Sequence, residues 1–176
     1  MTYYDEIYEH AVDNHYLFTT ADAAASGIPG VELAKLAGRG RLESLGNGVY
    51  RLARYVPAES DPYAVAVARV GKGAYLYGES VIALLGLAPT NPDRIVVATP
   101  RRVRKKLPET VVLMKAPAPE RIAVYEGVPS QRAAAAIAAC KGSVMPERLR
   151  EAARRGREGG YITAAEEEAL KESMGW

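Results

Sequence analysis

The chain has 176 residues, of which 48% are hydrophobic and 25% charged, and a formal net charge of +2. That composition fits a folded chain of one ordinary domain or two small ones and excludes a disordered one. A single cysteine, Cys140, excludes an intramolecular disulfide.

The opening MTYYDEIYEH lacks the basic start and apolar core of a signal peptide, and no apolar run approaches a membrane span. A cytoplasmic protein with no membrane partner is expected. Residues 3–16 alternate acids with Ile7, Tyr8, Ala11, Val12 and Tyr16, a spacing that predicts an amphipathic helix. Leu17 and Phe18 make a short extended link. Thr19 is a good N-cap, with Asp22 favourably placed in the first turn, for a short helix through Ser26. Gly27 ends that helix, and Pro29 opens the next, whose core face is expected to be Val31, Leu33, Leu36 and Ala37. Gly38 and Gly40 stop it. Arg41–Leu45 and Val49–Leu52 flank Gly46-Asn47-Gly48, a strong hairpin signal.

Residues 55–60 read as a linker, placing a domain boundary near residue 58. Beyond it, Asp61-Pro62 starts a helix over 62–70, and Ala74–Leu76 is a short extended piece. A helix follows over 79–85, then strands near 94–98, 110–115 and 121–126. Ser130 is expected to cap an Ala-rich helix running to Cys140, and Pro146 opens a helix to about Gly156. Thr163-Ala164-Ala165-Glu166 is a capping box for a last helix. Helix, turn, helix and hairpin at the start, then mixed elements, predict an α+β protein. Residues 1–58 form a winged helix-turn-helix and residues 59–176 a mixed α/β C-terminal domain.

The chain shows no catalytic constellation. His10 and His15 are five apart on different helix faces, with no nucleophile or metal-ligand spacing beside them. Cys140, in an Ala-rich apolar run, reads as a buried structural thiol. The pairs Gly38/Gly40 and Gly71/Gly73 lack the rest of a phosphate loop. No enzyme activity, metal or cofactor is expected.

A winged helix points instead to double-stranded DNA, whose major groove accepts a short helix. Thr19 and Thr20 would face a phosphate. The reading helix from Pro29 would present Gly30, Glu32, Lys35 and Arg39, with cations suited to guanine edges or phosphates and Glu32 to cytosine N4. Arg41 and Arg51 would meet the backbone, and Asn47 at the wing tip the minor groove. The reader is weakly positive, with five Lys/Arg against three Asp/Glu over residues 18–58. A second source of charge lies at Pro100–Lys106, where Arg101, Arg102, Arg104, Lys105 and Lys106 form a patch for nucleic acid or an acidic partner. DNA binding would need that loop or a second copy of the chain. The alternative is a protein-interaction module using the winged helix and basic loop without DNA.

The stretch LFTTADAAASGIPGVELAKLAGRGRLESLGNGVYRLA resembles the N-terminal winged helix of AbiEi-type antitoxins, the regulators of type IV toxin–antitoxin systems. The likeness continues through YLYGESVIALLGL, RIVVATPRR and VYEGVPSQRAA. The resemblance implies an N-terminal domain that binds repeats at its own promoter and a C-terminal domain that supplies antitoxicity. It also implies a nucleotidyltransferase toxin from the neighbouring gene, countered without a stable complex.

Overall fold

The computed structural model describes residues 1–90, 93–117 and 119–176. It is an α+β chain that divides into two compact units: Met1–Lys72 with Val103–Leu107, and Gly73–Arg102 with Pro108–Trp176.

The first unit begins with α1 (Tyr3–Ala11), capped by a reciprocal pair between Thr2 and Asp5. This helix is shorter than the predicted 3–16. Asn14 Nδ2 donates to the His10 carbonyl at 2.8 Å, and His15 and Tyr16 adopt left-handed φ values of 56° and 61°. The helix gives way to turns over residues 12–16, and the two left-handed residues lead into β1 (Leu17–Thr19), with Leu17 and Phe18 both buried. Next come α2 (Thr20–Ala25), α3 (Gly30–Gly38), β2 (Leu42–Gly46) and β3 (Val49–Leu52). The strands pair antiparallel in the order β1-β3-β2. Ile7, Phe18, Leu33, Leu42 and Leu52 fill the core between helices and sheet. This order of helices and strands is that of a winged helix-turn-helix.

The wing is tight. Its turn is only Asn47-Gly48, at φ 55° and 73°, the geometry a two-residue hairpin loop requires. Gly46, expected in the turn, instead ends β2 at a bulge after Ser44. The unit then continues past residue 58. Helix α4 (Asp61–Val70) buries Ala64, Ala66, Val67 and Val70 and packs on β3.

The second unit holds β4 (Tyr75–Leu76), α5 (Glu79–Leu85), β5 (Ile95–Thr99), β6 (Val111–Lys115), β7 (Ile122–Tyr125) and β8 (Val128–Gln131), then α6 (Ala133–Ala139), α7 (Pro146–Glu158) and α8 (Ala164–Met174). Its five strands run β6-β5-β4-β8-β7 with mixed pairing. Ile82, Ile137, Leu149, Ala152, Ile162 and Leu170 form its helical core. Strand β8 replaces the expected capping role of Ser130. That serine is fully buried in the strand, and its hydroxyl donates to the Val128 carbonyl at 2.9 Å. Helix α6 starts after Arg132, and the Tyr125 hydroxyl takes over the cap by accepting from Ala133 N–H at 3.0 Å. No helix among the described residues is long and apolar enough to cross a membrane.

Candidate nucleic-acid interface

Helix α3 is held by its inner face. Leu33 and Leu36 are buried and Ala37 is half-buried. At roughly 100° per residue, the opposite face carries Val31, Ala34, Lys35 and Gly38. Val31, expected in the core, is 59% exposed. The reason is angular: Val31 lies about 200° around the helix from Leu33, while Ile28, in the preceding turn and 3% exposed, occupies the core instead. Gly30, at the start of α3, and Arg39, its C-cap, are exposed as expected. Glu32 sits half-buried on the flank, and its Oε1 accepts from Lys35 Nζ at 3.3 Å. The outward surface of α3 is therefore small and apolar, with Lys35 its one cation and Arg39 just beyond.

Several of the other expected contacts are already engaged. Pro29 is the N-cap of α3 and offers no side-chain hydrogen bond. Thr19 caps α2: its hydroxyl accepts from Asp22 N–H at 3.0 Å, and Asp22 Oδ2 accepts from Thr19 N–H at 2.8 Å. Thr20 is exposed, and its N–H donates to the Gly48 carbonyl at 2.9 Å, tying α2 to the wing. The Arg41 guanidinium lies 3.8 Å from the centre of the Tyr4 ring, on the α1 side. Arg51 is folded against its own sheet. It pairs with cross-strand Glu43 at 2.9 Å and lies 4.1 Å from the Tyr55 ring centre. Its buried Nε has no hydrogen-bond partner among the described residues.

Asn47 is bound at both ends of its amide. Nδ2 donates to the Lys106 carbonyl at 2.8 Å, and Oδ1 accepts from Arg69 Nη1 at 3.1 Å. Its side chain is thus committed within the unit. The contact splits the basic run. Arg104, Lys105 and Lys106 are exposed on the first unit, whereas Arg101 and Arg102 are exposed on the second, where Arg101 N–H donates to Thr99 Oγ1 at 3.2 Å. Sequence reasoning missed Val31, although a helical wheel centred on Leu33 and Leu36 places it outward. It had no means of finding the Asn47–Lys106 bond, which joins residues 59 apart.

Cys140 is buried beside α6, and burial, with a smaller push from Glu79, raises its thiol to about 12. A thiol so reluctant to ionise is a poor nucleophile. Among the described residues no cluster of three or more His, Cys, Asp or Glu could hold a metal ion.

Residues 5–53 match the family model described as transcriptional regulator, AbiEi antitoxin. This segment runs from within α1 through the wing and includes all of α3. No curated protein matches the chain. Among solved structures, the crystal structure of RV2827C protein from Mycobacterium tuberculosis is 17% identical, with 98% of this chain and 82% of that chain covered at a TM-score of 0.39.

Proposed function

We propose that this chain, AbiEi-like over residues 5–53, is a DNA-binding autoregulator and the antitoxin of a type IV toxin–antitoxin system. Its partner toxin is a nucleotidyltransferase encoded beside it. The observation that carries the reading is α3 itself: inside the matched segment, a short helix is anchored by Leu33 and Leu36 while Val31, Ala34 and Lys35 face solvent. A helix so anchored can enter a major groove without disturbing its own core. Lys35 then meets a guanine edge or a phosphate, and Arg39 a phosphate. The other expected contacts divide: Thr20 and Gly30 stay available, while Asn47 and Arg51 serve the fold.

Fluorescence anisotropy with a duplex of the promoter upstream of the gene for this chain tests the DNA half. Wild-type protein should bind with strong salt dependence. Lys35→Ala with Arg39→Ala should weaken binding at least tenfold, an amount of about 1.4 kcal/mol for the pair. No binding to promoter DNA at low salt would sink the assignment. The antitoxin half is tested by co-expression with the adjacent nucleotidyltransferase gene, where the full chain should restore growth without co-purifying with the toxin.

The exposed Val31 also suits the second reading, a winged helix that contacts protein. Binding to DNA made with deoxyuridine separates the two.

A further inference from the structure

We infer that residues 103–107 form a basic strap that the wing turn holds in place as a second DNA-phosphate-binding edge of the first unit. This rests on the DNA-binding reading above and adds a site to it. The strap is tied by the Asn47–Lys106 bond at 2.8 Å, and Asn47 is itself braced by Arg69 from α4 at 3.1 Å. Beside the tie lies a cleft of about 480 Å³ lined by Thr20, Asn47, Gly48, Gly71, Lys72 and Lys105 among others. At about 30 Å³ per water molecule, it has room for a backbone phosphate with part of its hydration shell. Asp22, the carboxylate lining this cleft, accepts from Thr19 N–H through Oδ2, and its Oδ1 lies 3.9 Å from His10 Nε2.

The strap changes the charge of the reader. Residues 18–58 alone carry five Lys/Arg against three Asp/Glu. Adding residues 59–72 and 103–107 gives ten against five, and the acids of the first helix and the turn after it, Asp5, Glu6, Glu9 and Asp13, bring the whole unit to ten against nine. The added cations include Lys72, Arg104, Lys105 and Lys106, all exposed, with no acid between 103 and 107 to pair them. Cations of this kind act on the phosphate backbone, contributing affinity without sequence preference. The side chain of Asn47 is a positioning group for them. Arg101 and Arg102, two residues upstream in sequence, belong to the other unit and make a built-in control.

The test uses the full chain, the promoter duplex and salt between about 50 and 200 mM. Changing Arg104, Lys105 and Lys106 together to Gln should flatten the log–log salt slope by about 2–3, one phosphate per cation. Arg101→Gln with Arg102→Gln should leave the slope within about one. Asn47→Gly, which suits the left-handed turn, should flatten the slope too and speed amide exchange across residues 103–107. A triple variant with the wild-type slope, or equal effects from both halves of the run, overturns the strap while wild-type binding preserves the DNA reading. Absence of wild-type binding overturns both.

Discussion

Val31 is the largest apolar side chain on the solvent face of α3, 59% exposed in a helix whose other outward residues are Ala34, Lys35 and Gly38. In a major groove such a side chain meets the thymine 5-methyl, the only apolar mark on a base edge there. Replacing thymidine by deoxyuridine throughout the promoter duplex should therefore weaken wild-type binding by about 0.8 kcal/mol per contacted methyl, roughly fourfold. Val31→Ala should bind both duplexes alike. If the wild type binds both duplexes equally, Val31 has no base contact and a protein-facing role gains. The neighbouring cations behave differently from their appearance in the sequence. Arg41 and Arg51 looked like backbone contacts because of where they sit along the hairpin. Their aromatic partners, Tyr4 and Tyr55, come from a helix before the reader and an irregular segment after the wing.

Local elements were the readable part. The Thr19–Asp22 and Thr163–Glu166 capping boxes each depend on residues three apart, so the sequence shows them whole. Other elements depend on distant partners. Strand β8, with Pro129, Ser130 and Gln131, has little strand propensity; it exists because β4 and β7 pair with it from either side. The winged order and the exposed Gly30, Lys35 and Arg39 could be read from the first third, but the engagement of Asn47 by Lys106 and Arg69 could not, because those partners lie far along the chain.

The cap of α8 has a pH dependence of known sign. Burial pushes the Glu166 carboxyl up, but the Thr163 N–H and hydroxyl, with Arg132 at 3.4 Å, outweigh it and hold the group below its ordinary 4.5. A carboxylate depressed on folding stabilises the fold above its unfolded value and loses that contribution as pH falls through the folded one. Glu166→Gln should cost about 0.3–1 kcal/mol at neutral pH. That difference should shrink below pH 4.5 in thermal melts. A difference independent of pH would mean that packing, and not charge, holds the cap.

Across the whole molecule, the two units have separate cores and a convenient reporter. Trp176, the only tryptophan, packs against the second unit's helical core. In that core Gly156 on α7 leaves no room for a Cβ, which would lie 2.6 Å from Ile162 Cδ1 and 3.0 Å from its Cγ1. Ile162 is itself buried and has little space to yield. Gly156→Ala gains about 0.5–1 kcal/mol of helix propensity and loses about 1–3 kcal/mol to overpacking. The net should be a lower melting midpoint by tryptophan fluorescence, with promoter binding at low temperature unchanged. A rise in the midpoint would show that α7 and Ile162 can part without cost.

The bond between Asn47 and Lys106 also sets an order of events during synthesis. Helices α1 to α3 and the hairpin are complete by Leu52 and α4 by Val70, yet the segment that closes on the wing ends only at Leu107. At about 5–20 residues per second, the ribosome takes on the order of 3–10 s to cover that interval. A nascent chain therefore carries a winged helix whose Asn47 Nδ2 still lacks its Lys106 acceptor. The first unit reaches its final form only after a good part of the second has been made.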